Sequence, residues 1–280
     1  MRPPPAGPDH IFSESVCVSP LVVSALVIAA MMLGIWIASV PLKNASIVDL
    51  FWAAGFVLLA GVLWSRLPPS DGGAFARPSK SLLPLLTGLW GLRYSIHLWT
   101  RNIGHGEDKR YVSMRDRRRE SFWWTSLFIV FLLQGTVMWV VSLPLQLGIT
   151  AARPGSTLAH FAGMLLWSVG LFFEAVGDWQ LSRFRANPAN MGRVLDTGLW
   201  SLTRHPNYFG DSCLWWGLFL IAAAHGEHLW TAIGPLTMTY FLMRISGVTL
   251  LEQTLIQERP GYAEYVQRTS AFLPWPPRKG

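Results

Sequence analysis

Charge is scarce in this 280-residue chain: 14% of its residues are Asp, Glu, Lys or Arg, while 51% are apolar. Soluble globular domains carry about 25% charged residues, so most of this chain is not built to face water. Cysteine is nearly absent, with Cys17 ahead of the first apolar run and Cys213 inside a later one. That argues against a disulfide framework, and without a CxxC there is no cysteine-based metal signature. Neither GxGxxG nor a P-loop occurs, which removes the support for a Rossmann or Walker nucleotide site. No repeat of fixed period is evident. The N-terminus, MRPPPAGPDHIFSESVCVSP, is Pro-rich and polar. It is unlike the short charged region and brief apolar core of a signal peptide, and residues 1–19 read as a disordered lead.

What is present is a succession of apolar runs. They fall at about 20–40, 46–66, 81–101, 121–148, 158–181, 208–224 and 229–251, near the roughly 20 residues that cross a hydrocarbon core of about 30 Å. The sequence thus predicts an all-α polytopic membrane protein, with seven transmembrane helices in one bundle over 20–251 and a C-terminal segment, 252–280, packing on the functional site. The sixth run is short and begins in polar residues. Gln134 and Pro144 in the fourth predict a tilt or kink.

The net charge of +7 is gathered in a few connections. Residues 101–120 hold Arg101, Lys109, Arg110, Arg115, Arg117, Arg118 and Arg119. The connection 182–205 holds Arg183, Arg185, Arg193 and Arg204, and the tail holds Arg259, Arg268, Arg278 and Lys279. With seven spans, all three segments fall on one side, and the positive-inside rule makes that side cytoplasmic with the N-terminus outside. Arg77 and Lys80 on the other side weaken the contrast without reversing it.

Ionisable residues within spans cost roughly 2.5 kcal/mol or more each and need a reason. Arg93, His97 and Arg101 recur every four residues on one face of the third span, beside Trp90 and Tyr94. Glu174 and Asp178 share a face of the fifth. Gly163, Gly170 and Gly177 recur at seven on nearly the same face, where small residues admit another backbone or a flat ligand. Asp49 opens the second span. Structural pairing of Arg93 and His97 with Glu174 or Asp178 is the alternative to a ligand role. Between the fifth and sixth spans, SRFRANPANMGRVLDTGLWSLTRHPNYFGD is polar and basic. Its arginines suit phosphate, and Asn207, Tyr208 and Asp211 suit the polar and flat parts of a cofactor.

The run FEAVGDWQLSRFRANPANMGRVLDTGLWSLTRHPNYFGDSCLWWGLFL and the tail LLEQTLIQERPGYAEYVQRTSAFLPWPP resemble the steroid 5α-reductase family, in its bacterial branch long labelled a domain of unknown function. SIVDLFW, LWGLRYSIHLWTRN and GEDKRY fit the same branch, and the resemblance covers about residues 40–277. It implies a seven-helix, NADPH-dependent membrane reductase that saturates the C4–C5 double bond of a 3-oxo-Δ4-steroid. The D-x(6)-R spacing puts Asp178 and Arg185 in the cofactor site, with Glu174, Asn207, Tyr208 and Asp211, and Arg93 matches an arginine facing the cofactor phosphates. His97, Arg101, Arg193, Arg204 and the late Glu252 join that expected NADPH site. Animal members use a Gln-Glu pair and a tyrosine near the 3-oxo group. Here the matching acid is Asp49, with no preceding Gln, and the candidate tyrosine, Tyr94, follows the arginine rather than preceding it.

The expected catalytic pair is therefore Asp49 and Tyr94, polarising an enone carbonyl where water is scarce. The steroid, or a similar flat enone, would enter from lipid, and NADPH from the cytoplasm of a bacterium whose inner membrane holds the protein as a monomer. No nucleic acid or metal is expected. The short RHPNYFG core also occurs in isoprenylcysteine and phospholipid methyltransferases, so an S-adenosylmethionine-dependent membrane methyltransferase is the competing enzyme. A non-catalytic sterol- or lipid-binding protein is the other reading.

Overall fold

The computed structural model describes residues 19–67, 78–102, 104, 106–151, 153–245, 252 and 255–278. The expected lead, apart from Ser19, lies outside the described residues, as do Cys17 and most of the 67–80 connection. Among the described residues every regular element is helical. Helix α1 (Pro20–Leu42) starts with proline in its first turn, where a missing N–H costs nothing, and ends at Lys43 in the left-handed region. A single turn, α2 (Ile47–Leu50), carries Asp49 into α3 (Trp52–Ser65). Helix α4 (Pro78–Asn102) is followed by α5 (Lys109–Arg118), whose N-cap Asp108 accepts from the backbone N–H of Arg110.

Helix α6 (Phe122–Ser126) passes through a π turn (Leu127–Leu132) into α7 (Leu133–Val141), and α8 (Leu143–Gly148) begins afresh after Ser142. The expected irregularity around Gln134 and Pro144 thus takes two forms. The helix widens just before Gln134, and it is interrupted where Pro144 offers no N–H to the preceding turn. The long α9 (Thr157–Ala186) leads through the turn α10 (Leu199–Leu202) to α11 (Pro206–Ala222). Helix α12 (Ile233–Tyr240) ends in a second π turn, Phe241–Ile245, and α13 (Tyr262–Arg268) lies in the C-terminal segment.

Among the described residues, three helical stretches are long and apolar enough to cross a membrane: Pro20–Leu42, Lys109–Val141 and Thr157–Ala186. The chain is a membrane protein by this measure, but the expectation of seven spans is not met. Helices occupy all seven expected segments. However, α3 has 14 residues and α11 has 17, short of the roughly 20 that a bilayer core requires. Helix α4 is long enough, but it carries Lys80, Arg93, His97 and Arg101, and α12 has 8 residues before its π turn. Hydropathy located the helices without measuring how long each runs unbroken.

The core is aromatic where α3, α4 and α11 meet. Phe56 and Trp90 both pack on Trp215, with ring centroids 4.5 and 5.6 Å away; such pairs contribute about 0.5–1.5 kcal/mol each beyond the area they bury. The glycine repeat of α9 is a packing seam against α11. A Cβ on Gly170 would stand 2.5 Å from the carbonyl oxygen of Gly210, and one on Gly163 would stand 2.8 Å from that of Gly217. With no side chains between them, the two backbones touch. Short acidic side chains four and eight residues beyond Gly170 are thereby brought within reach of α11. Cys213 is a free, buried thiol on α11.

Candidate active site

Two adjacent cavities lie at the end of the bundle where the basic segments converge. The inner one, about 370 Å³, is lined by Asp49, Tyr94, His97, Tyr111, Gln134, Glu174, Asp178 and Asp211, with apolar walls from Trp52, Leu98, Leu133, Val137, Met238, Phe241 and Leu242. The outer one, about 610 Å³, is lined by Lys109, Arg185, Arg204 and Arg259, with Asp108, Trp200, His205, Tyr262 and Tyr265. Arg101, Arg110, Asn207 and Tyr208 line both. Both volumes fall in the range of about 300–1,000 Å³ typical of small-molecule pockets.

The floor of the inner cavity is an acidic cluster held by one guanidinium. Arg93 donates from Nη1 to Glu174 Oε1 at 2.7 Å and from Nη2 to the Glu174 carbonyl at 3.2 Å and to Asp178. Trp90 Nε1 donates to Glu174 at 3.0 Å, and Asn207 Nδ2 to Asp178 at 3.2 Å. His97 Nε2 stands 3.6 Å from Asp178. Arg93 itself lines neither cavity. Against the expectation that it faces cofactor phosphates stands its pairing here: two buried carboxylates one turn apart require a counter-charge, and Arg93 supplies it. Asp211 is 7% exposed, and its Oδ1 has no hydrogen-bond partner among the described residues.

Asp49 and Tyr94 line the same cavity but do not bond to each other. Asp49 accepts from Tyr111 Oη at 2.7 Å, from Arg110 Nη2 at 2.9 Å and, weakly, from Gln134 Nε2 at 3.4 Å. Gln134 Nε2 also donates to the Tyr111 oxygen at 3.0 Å. The Tyr94 ring rests against Trp90 with centroids 5.6 Å apart, and its hydroxyl makes no hydrogen bond among the described residues. The carboxylate is therefore occupied, and the phenol is free.

The outer cavity is strongly basic. Arg101, Lys109, Arg110, Arg185, Arg204 and Arg259 reach it from all three basic segments, against one lining acid, Asp108. Arg204 is fixed by a two-pronged ion pair to Glu252, at 2.7 and 3.0 Å, and by donation to the carbonyls of Val266 and Thr269. His205 Nε2 also meets Glu252, at 3.0 Å. Burial pushes the Glu252 carboxyl up, but the hydrogen bonds from His205 and Arg204 outweigh it and hold the group below the usual range. Glu252 therefore lines neither cavity but anchors an arginine that does. Arg193 is exposed and lines neither; its carbonyl accepts from Arg259 Nη1 at 2.8 Å. Tyr208 stacks on His205, centroids 5.3 Å apart. Burial pushes Tyr262 up to about 12 and raises Tyr265 as well, so both phenols are neutral donors at physiological pH.

The site residues missed in the sequence include Arg110, Tyr111, Gln134, Arg259, Tyr262 and Tyr265. For the first two a signal existed: GEDKRY packs acids, cations and an aromatic directly after a helix rich in polar residues. Gln134, lying inside an apolar run, read as a kink rather than as a hydrogen-bonding group.

Fold and site together define a helical membrane protein with two adjacent cavities, one mixed apolar and acidic, the other cationic. The chain belongs to the family described as protein of unknown function (DUF1295), which it matches over residues 35–269. It is 23% identical over 286 aligned positions to an uncharacterized protein of Schizosaccharomyces pombe, covering 91% of this chain and 80% of that one. A shorter stretch of 57 residues is 42% identical to a probable O-methyltransferase of Ustilaginoidea virens; it spans 19% of this chain and 20% of that protein. No solved structure matches the chain.

Proposed function

We propose that the protein is a membrane reductase that uses NADPH to saturate the C4–C5 double bond of a 3-oxo-Δ4-steroid or similar flat enone. The observation that carries the proposal is the pairing of chambers. In the outer chamber Arg101, Lys109, Arg185 and Arg259 have no carboxylate partner among the described residues. Clustered uncompensated cations fit a ligand with several phosphates, and a 2′-phosphate adds to that demand. The inner chamber offers apolar walls and a free phenol to a flat carbonyl compound.

Arg101, Lys109, Arg185 and Arg259 would hold the phosphates, with Asn207, Tyr208 and Asp211 toward the inner chamber. When bound, NADPH supplies the hydride. As an enone accepts hydride at its β-carbon, negative charge grows on its carbonyl oxygen. Tyr94, whose hydroxyl is uncommitted, is the donor placed to stabilise that charge in a water-poor cavity. The α-carbon gains a proton derived from water. Asp49 is a positioning residue in this scheme, since its oxygens already accept from Arg110 and Tyr111. The same reading puts the cationic chamber at the cytoplasmic face, with the apolar substrate arriving from lipid.

The test is purified protein in lipid nanodiscs with NADPH and a Δ4-3-ketosteroid, following NADPH oxidation and the mass gain of two hydrogens in the steroid. Absence of turnover across a panel of flat enones would sink the proposal. The match to a probable O-methyltransferase favours a second reading, methyl transfer from S-adenosylmethionine. That cofactor carries a sulfonium cation and no phosphate, so it would use the acids Glu174, Asp178 and Asp211 and leave the outer arginines without a role. Titration with each cofactor separates the two.

A further inference from the structure

Among the four residues that line both chambers, Arg110 alone bonds a carboxylate belonging to each. Its Nη2 donates to Asp49 of the inner chamber at 2.9 Å, and its Nε to Asp108 of the outer chamber at 3.0 Å. Its side chain is 52% exposed, so the guanidinium is open to an incoming ligand. Asp49 is also the acceptor of the Tyr111 hydroxyl, and Gln134 bonds both. One cation is therefore shared between the basic chamber and the hydrogen-bonded array on the wall of the apolar one.

We infer that Arg110 couples the chambers: Asp49 and Asp108 hold it in reserve, a polyanion entering the outer chamber competes for it, and its withdrawal frees Asp49 and Tyr111 to regroup around an inner ligand. This rests on the reading of the outer chamber as a phosphate site. The physical basis is that a guanidinium has a fixed set of donors. Donors spent on Asp49 and Asp108 are not available to phosphate, so each acid opposes anion binding through Arg110. Coupling of this kind usually falls between about fivefold and 150-fold, and the half-exposed position of Arg110 puts it at the low end.

The experiment is a mutant cycle in nanodiscs with inorganic pyrophosphate and, separately, 2′,5′-ADP as probes, read by calorimetry. Asp49→Asn keeps the shape of the side chain and removes its charge, and is expected to tighten pyrophosphate about fivefold. Asp108→Asn retains an N-cap and is expected to do the same if the first variant folds poorly. In an Arg110→Gln background both gains should vanish. Gains that persist there would reduce the effect to general electrostatics and overturn the coupling, as would unchanged or weaker binding in the single variants. Failure of either probe to bind the wild type would overturn the coupling together with the phosphate reading. A cycle that behaves as expected, in a protein that never oxidises NADPH, would keep the coupling and remove the reductase.

Discussion

Tyr111 donates its hydroxyl to Asp49 at 2.7 Å, joining the first turn of α5 to the single turn α2 across 62 positions of sequence. This contact engages Asp49. Among the described residues lining the cavity it leaves Tyr94 and Tyr208 as phenols whose hydroxyls make no hydrogen bond, Tyr94 being the one on the α4 face beside Trp90. We predict that Tyr94→Phe lowers kcat by about 10²-fold or more, the usual effect of removing one oxyanion donor, with little change in the affinity for NADPH. Tyr111→Phe should act more weakly, because its hydroxyl already serves Asp49. Steady-state kinetics with both variants decides the matter; a larger loss for Tyr111→Phe would reverse the assignment.

Arg185 has no carboxylate partner among the described residues and faces the outer chamber. Its replacement by alanine should raise KM for NADPH about tenfold while kcat stays near wild type, the pattern of lost uniform binding. If kcat falls and KM holds, Arg185 does not serve as a phosphate ligand.

Among the described residues, Arg93 is the only guanidinium paired with Glu174 and Asp178. Arg93→Met strands two buried carboxylates, and breaking such a pair costs about 3–5 kcal/mol. The partial exposure of Arg93 puts the expected loss near the lower figure. The double variant Arg93→Met with Glu174→Gln should recover part of it, and thermal unfolding in nanodiscs reads both. An undiminished melting temperature in the single variant would mean that the cluster does not need its cation.

Gly170→Ala adds a Cβ 2.5 Å from the Gly210 oxygen. Backbone on backbone leaves nothing flexible to yield, and overpacking costs about 1–3 kcal/mol. The predicted result is a lowered melting temperature, while Gly61→Ala, where a Cβ meets open space, should be neutral. Equal effects at the two positions would argue against the seam.

Glu252 has its carboxyl held below the usual range by Arg204 and His205. A depressed folded-state pKa contributes stability that is complete above the unfolded value, about 4.3. It is lost as pH falls through the lower folded value. The destabilisation caused by Glu252→Gln should therefore be full at neutral pH and shrink progressively below about pH 4.3. Melting curves of both proteins across that window test it; a difference that grows on acidification would contradict the sign.

How much of this was legible in the sequence depends on the range of each interaction. The helices were, because hydropathy is local. Their effective lengths were not, because a π turn or a break at Ser142 leaves apolarity unchanged. The glycine seam and the acids beside it were legible from spacings of seven and four on one helix. So was the pairing of Arg93 with Glu174 and Asp178, as the alternative to a ligand role. The Asp49–Tyr111–Gln134 array was not: its members lie 62 and 85 positions from Asp49 on three separate helices, and no periodicity relates them. Glu252 was expected in the cofactor site, and in the structure it pairs with Arg204, 48 positions away, a contact that no local pattern announces.

The backbone contact between α9 and α11 also has a mechanical consequence. Helices that touch along Gly163, Gly170, Gly210 and Gly217 can neither slide nor roll without collision, so they form a stiff keel. Helix α5 is joined to the rest by the bonds of Arg110, Tyr111 and Arg115. The segment 255–278 is joined by the bonds of Arg204 together with the buried Tyr262, Tyr265 and Phe272. Any opening or closing of the outer chamber must then be a movement of those attached parts against a fixed floor. Amide exchange should rank them accordingly, with the keel slowest and α5 among the first to give way.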